Sequence, residues 1–236
     1  MKDIMVNQVR VLAFALLLIT LCSAEESKIF GKALSIEGTV TCYRSLLKKE
    51  IAEGEELMFN DRIETDGDSS VEIALTDGSS LLLSPSSKLR LIREKNKTDL
   101  ELDVGALRCE VQPVAEQAGF YVHTPVAVVG VRGTDFVVEY AADEGAEEPF
   151  EVSVLNGEVE VESLLEKRAE FRKKLVQKSE SMRLDRRGGF MALQKLKQDR
   201  IETLKKRLSM GEARRQKIKE RAGEFMKKLR DKKEGI

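Results

Sequence analysis

The chain has 236 residues, 42% of them hydrophobic and 34% charged, and its 40 basic and 41 acidic side chains cancel to a net charge of −1. This is an ordinary soluble composition with few aromatics and no tryptophan, of a size for one β domain plus an extension. With a single histidine, His123, the sequence excludes a metal cluster built on histidines and any catalytic arrangement that needs two.

Lys2 and Arg10 bracket a polar start, and Val11 to Leu21 is apolar apart from Thr20. That run is short for a bilayer span, which needs about 20 residues. The small residues Cys22-Ser23-Ala24 follow, before Glu25 and Glu26. Basic start, short apolar core and small-residue exit predict a secretory signal over 1–24, cut after Ala24. Two alternatives stay open: an uncleaved anchor, and lipidation at Cys22, although Leu21 is bulky for a lipoprotein signal.

From Ile29 to Glu162 the hydrophobic period is two. Val71, Ile73 and Leu75 alternate with polar residues before the Asp77-Gly78 turn. Leu81 and Leu83, then Leu89 and Leu91, then Leu100, Leu102 and Val104, then Leu107, Cys109 and Val111 repeat the pattern. Val152 and Val154, and Val159 and Val161, flank Asn156-Gly157, a two-residue hairpin signal. Short, evenly spaced strands with glycine turns predict a mainly β domain over 29–163, an antiparallel sandwich or roll. The acidic stretch Asp143 to Glu148 lacks the alternating ligand spacing of a calcium loop and is expected to be a hydrated connection. Asp61, Asp66 and Asp68 are expected to form turns.

His123 to Tyr140 is the most informative stretch. The apolar runs Val126 to Val129 and Phe136 to Val138 flank a Gly130-Val131-Arg132-Gly133-Thr134 knot, where glycine permits a sharp kink or a close backbone approach. Arg132 could hold a carboxylate or phosphate in a fork. Its place in the knot favours a structural role. Thr124, Pro125, Val131, Arg132, Gly133, Thr134 and Phe136 resemble the characteristic motif of the FecR domain family. Further pieces match in order: Gly38-Thr39-Val40, Leu57 to Thr65, Val71 to Ser79, Gly105 with Leu107, and Gly157 with Val159 and Val161. The resemblance covers about Phe30 to Glu162. It implies a bacterial cell-envelope domain that in the regulatory members receives a signal from an outer-membrane transporter. In those members a cytoplasmic anti-sigma segment precedes a membrane helix. Here about ten residues precede the apolar run, so a stand-alone exported form is expected.

Cys42 shares a strand face with Val40, and Cys109 with Leu107 and Val111, so both thiols are expected to point inward. An oxidising compartment would allow a Cys42–Cys109 disulfide; two buried free thiols are the alternative. They lack the spacing of a redox motif. No catalytic constellation, cofactor site or metal site emerges, which predicts a non-enzyme.

The charge is split. Met1 to Ser163 carries 15 basic and 30 acidic residues, and Leu164 to Ile236 carries 25 basic and 11 acidic. Leucines at helical spacing and the absence of proline predict a basic helical extension over 164–236, in segments 164–186, 190–208 and 210–233. Such charge would suggest nucleic acid inside a cell; export removes that partner. An envelope protein or an anionic envelope surface remains, the acidic β domain among them. The expected protein is a non-enzymatic, periplasmic or envelope-associated binding or scaffold module, with no membrane span after signal cleavage. The alternative is a sensing component that hands its output to another protein.

Overall fold

The computed structural model describes residues 29–94, 97–113, 119–143, 146–168, 172–191, 193–207, 220, 223–228 and 230–231, with backbone alone at Arg93, Glu94 and Arg207. The predicted signal segment with Cys22, and residues 208–219, lie outside them.

The described residues are mostly strand, as the alternating pattern predicts. The strands are β1 (Ile29–Glu37), β2 (Val40–Arg44), β3 (Leu47–Glu50), β4 (Glu56–Met58), β5 (Arg62–Thr65) and β6 (Ser70–Leu75). Next come β7 (Ser80–Leu83), β8 (Lys88–Glu94), β9 (Lys97–Glu110), β10 (Gly119–His123), β11 (Ala127–Val131) and β12 (Asp135–Tyr140). The last are β13 (Phe150–Asn156), β14 (Glu158–Ser163), β15 (Lys173–Gln177), β16 (Glu180–Leu184) and β17 (Gln194–Lys195).

They pair as two wings that share β9. One wing runs β4-β1-β6-β7-β9-β12-β13-β16-β17, antiparallel throughout. The other runs β3-β2-β5-β8-β9-β10-β11-β14-β15, antiparallel except for the parallel β9–β10 pair. We call them the first and second wings. The change of wing within β9 happens at Gly105, whose φ is +104°. A Cβ there would collide with Ser87, whose Oγ accepts a hydrogen bond from Ala106 N at 3.0 Å. Only glycine fits both the backbone angle and the close approach.

Alternation then builds the core. Val71, Ile73, Leu81, Leu83, Leu107, Phe136, Val138, Val152 and Val154 from the first wing join Ile63, Leu89, Leu91, Leu100, Phe120, Val129, Val159 and Val161 from the second in one apolar cluster. A second cluster lies on the opposite face of the first wing: Leu34, Ala74, Leu82, Val137 and Leu155, covered by Ile201, Leu204 and Phe225. Strands covered on both faces read as continuous apolar runs, and Ile73-Ala74-Leu75, Leu81-Leu82-Leu83 and Phe136-Val137-Val138 are such runs.

Two expectations are corrected here. The described residues of 164–186 are not helical. β15 adds to the second wing beside β14, where Lys173 bridges Glu160 at 2.8 Å and Arg172 bridges Glu162 at 3.2 Å. β16 adds to the first wing beside β13, with Met182 and Leu184 buried. Free strand edges and opposite charges across them outweigh the helical spacing of a lysine-rich sequence. Asn156-Gly157 turns the chain as predicted, but β13 and β14 join different wings and do not form a hairpin. Within 190–208, helix α1 occupies Gln198–Arg207 and follows the short β17; residues 223–228 are also helical. Among the described residues no helix is long and apolar enough to cross a membrane.

Candidate functional site

The motif stretch includes the corner at which the chain passes from β11 in the second wing to β12 in the first. Thr124 opens it. Its N–H donates to Ala127 O at 2.8 Å, its Oγ1 donates to the same carbonyl at 3.1 Å, and Ala127 N donates back to Oγ1 at 3.0 Å. This closed turn carries the exposed Pro125 and pairs β10 with β11, from Phe120↔Val131 to His123↔Val128. Arg132-Gly133-Thr134 then carries the chain to β12. Gly133 has φ +74°, and a Cβ on it would lie 3.1 Å from Pro113 Cα. Thr134 is buried; its Oγ1 donates to Glu158 O at 2.9 Å, and its carbonyl accepts from Val111 N at 2.9 Å. Gly157, φ +86°, packs against Thr134 where the chain passes from β13 to β14 and back to the second wing. Val131 and Phe136 are buried on either side. The motif therefore ties three chain crossings together, and its conformational demands explain its glycines.

Arg132 itself is exposed at this corner. The arginine withdrawn from solvent is Arg108 on β9. It forms a fork with Asp135, Nε to Oδ1 at 2.9 Å and Nη2 to Oδ2 at 2.9 Å. Sequence reasoning passed over this pair; the signal was an arginine between the inward-facing Leu107 and Cys109, on the face that the second cluster covers.

A second ion pair, its carboxylate buried and its guanidinium half-exposed, stands beside the turn of the β2–β3 hairpin. Asp61, fully buried, accepts from Arg44 Nε at 2.8 Å, Arg44 Nη2 at 2.7 Å and Met58 N at 2.8 Å. It does more than form a turn. Cys42 lies beside it. Burial, with Asp61 adding to it, pushes the Cys42 thiol up to about 12, and burial also pushes Cys109 well up. Both are buried free thiols, not joined to each other. So held in the protonated form, they make poor nucleophiles.

The outer face of the second wing is not covered by the described helices. There the Tyr121 ring lies between Gly119 and Gly130; a Cβ at 130 would come 3.2 Å from its Cε1. Lys97 Nζ stands 5.5 Å from the ring centre. His123 Nε2 sits 3.0 Å from Asp99 Oδ1. One register row crosses the face: Lys48, Tyr43, Arg62, Arg90, Glu101, His123, Val128, Glu162 and Lys173. Among the described residues no three His, Cys, Asp or Glu side chains gather into a metal site. This face can dock a surface; His123 and Asp99 form a partnered pair with no nucleophile beside them.

Comparison with known proteins agrees with this architecture. No curated protein matches the chain. Two crystal structures of a candidate anti-sigma factor from Parabacteroides distasonis ATCC 8503, at 1.65 and 2.50 Å resolution, share the fold with TM-scores of 0.50. The identities are 22% and 21%, and the alignments cover 60% and 61% of this chain and 62% and 63% of those chains. The chain thus spans less than two thirds of these relatives, and the likeness is one of fold. Residues 61–160, from the buried Asp61 to the β14 glutamates, match the model of the FecR protein family, and over that segment the chain carries a FecR domain.

Proposed function

We infer that this is a non-enzymatic FecR-type binding module of the cell envelope that relays a signal to another protein. The observation that carries it is the FecR domain over 61–160, on a fold shared with candidate anti-sigma factors. The motif supports a mechanical role: it holds both wings rigidly and presents the outer face of the second wing as a docking surface. A structural scaffold of the envelope is the second reading; the apolar cover on the first wing favours it, because it makes the extension part of the folded body.

In the proposed relay the protein is exported through its N-terminal segment, cleaved after Ala24, and works as a partner-binding surface with no cofactor. The test compares a deletion strain with one complemented by the wild type. A confined shift in transcripts under one sigma factor supports relay. Unchanged transcription with altered envelope integrity supports the scaffold. Photo-crosslinking from position 121 then reports whether a partner occupies the Tyr121 face; crosslinks only from the exposed side of α1, at position 205, would displace the site.

A further inference from the structure

The β2–β3 hairpin ends in two leucines that nothing in the described structure covers. Leu46 is fully exposed and Leu47 is 72% exposed, the largest exposures among the large apolar side chains. All four residues of β3, the edge strand of the second wing, are exposed, and the turn extends past the last β2–β5 pair, Tyr43↔Arg62. Its turn is Ser45-Leu46, with φ +54° at Ser45, between Arg44 and its register partner Leu47. Turn positions ordinarily carry Gly, Asn, Asp or Ser. A leucine pair at such a point is not a folding requirement.

The flanking chemistry identifies the occupant. In strand order, Lys48 and Lys49 point to opposite faces of the hairpin. Lys48 Nζ lies 5.8 Å from the centre of the Tyr43 ring, with Arg62 over the same ring at 4.5 Å. Lys49 bridges Glu55 at 2.8 Å, and Arg44 is held by the buried Asp61. The result is an apolar point with cations on both sides and an aromatic ring one register step behind. A groove in a protein partner calls for apolar residues along one face. Here they lie at the end, and cations surround them. That geometry fits a plane whose surface is anionic and whose interior is apolar, with lysine stems crossing the boundary and the tyrosine ring at headgroup level. The Arg44–Asp61 fork ties the residue next to the turn to the body of the wing, so the tip is held ready and need not be ordered on contact.

We propose that the Ser45–Lys49 end of the β2–β3 hairpin docks the protein on an anionic lipid bilayer, with Leu46 and Leu47 entering the acyl boundary and Lys48 and Lys49 meeting the headgroups. Lys48 and Tyr43 share the outer face of the second wing with Tyr121, but the leucine tip lies at its far edge and is read by its own reporter, so either reading can fail alone.

The chain has no tryptophan, so one placed at the tip is a local reporter. The full-length L46W variant is mixed with phosphatidylcholine vesicles with and without phosphatidylglycerol. Its emission is expected to move to the blue and to be quenched by brominated acyl chains, at lower lipid when phosphatidylglycerol is present. L175W places the reporter on β15, the opposite edge of the same wing, where Leu175 is 48% exposed; no quenching is expected there. This separates tip insertion from tethering through the N-terminal segment. Adding Lys48→Gln to L46W is expected to raise the anionic lipid needed about fivefold. No response from L46W, equal quenching of L46W and L175W, or equal response to neutral and anionic vesicles would each overturn the proposal; the first would leave a protein as the tip's occupant.

Discussion

Arg108 on β9 holds Asp135 on β12 in a two-pronged fork, each prong 2.9 Å, with the two residues diagonal to one another on the same face of the first wing. Their side chains retain only 10% and 19% of their exposure. Breaking such a pair strands a charge in a dry setting, which costs about 3 kcal/mol, whereas replacing both partners by apolar groups is often neutral. Asp135→Leu and Arg108→Met are each expected to lower stability by about that amount. The double variant Arg108→Met/Asp135→Leu is expected to lose less than the sum. Urea denaturation of the four proteins closes the cycle; single variants within about 0.5 kcal/mol of wild type would show that the fork is not structural.

Gly133 supplies the second test. Its φ of +74° and the 3.1 Å approach of Pro113 both oppose a side chain. Gly133→Val is expected to lower the Tm clearly, with backbone strain alone costing about 1–3 kcal/mol. Gly67 is the control: a Cβ there would meet only Ser86 Oγ at 3.8 Å. Gly67→Ala is expected to leave the Tm within a degree or two of wild type, since it adds no clash. Equal losses at both positions would remove the special status of the motif glycine.

The β architecture was legible where inward residues alternate with charge, as in Val71, Ile73 and Leu75. The motif was legible because its residues recur as a set at fixed spacing. Three things were not. β15 and β16 were hidden because Lys173-Lys174-Leu175-Val176-Gln177 forms a strand only through the edge of β14 and its glutamates, which no local pattern encodes. The Ser179 turn with φ +63° was the available hint. The Arg108–Asp135 fork joins residues 27 apart and needs the fold to bring them together. The Asp61–Arg44 fork was missed because Asp61 was read as a turn former, which it also is: Asp61 N donates to Met58 O at 3.3 Å.

The thiols make a prediction about alkaline pH and one about chemistry. The ordinary thiol value is 9.0, and the folded protein raises Cys42 to about 12. Between those values the unfolded chain releases a proton that the folded chain keeps, so the folded state binds more protons and stability falls as pH rises. Below 9 both states hold the proton and the thiol contributes no slope. Cys42→Ala is therefore expected to flatten the decline of Tm between pH 9 and 11 relative to wild type. An unchanged slope would place the alkaline sensitivity elsewhere. Iodoacetamide at pH 8 is expected to leave Cys42 and Cys109 untouched in the native protein and to label both after denaturation without reductant. A peptide pair resistant to labelling until reduced would instead reveal a disulfide in the exported protein.

The extension gives the last prediction, because its attachment decides what its charge can do. Its basic composition pointed to an envelope protein or an anionic envelope surface as partner. The structure shows an apolar anchor as well: Leu204 is fully buried and Ile201 is 8% exposed in the cluster with Leu34, Ala74, Leu82, Val137 and Leu155. Arg200 adds contacts of 3.5 Å to Glu139 and 4.0 Å to Glu151. These carboxylates are partly exposed, so the bridges are screened and worth little. Phe225 docks further along, with Lys32 Nζ 5.7 Å from its ring centre. If apolar burial dominates, high salt leaves α1 in place. Amide exchange within 198–207 is then expected to be equally slow at low salt and at 1 M salt, where screening acts within about 3 Å. Leu204→Asp is expected to speed that exchange strongly and to raise binding of an apolar dye, as Leu82, Val137 and Leu155 become accessible. The core amides of β9 and β12 are expected to stay protected, since α1 covers the wing from outside. Exchange in α1 that accelerates with salt, and is indifferent to Leu204→Asp, would return the extension to a tether held by charge alone.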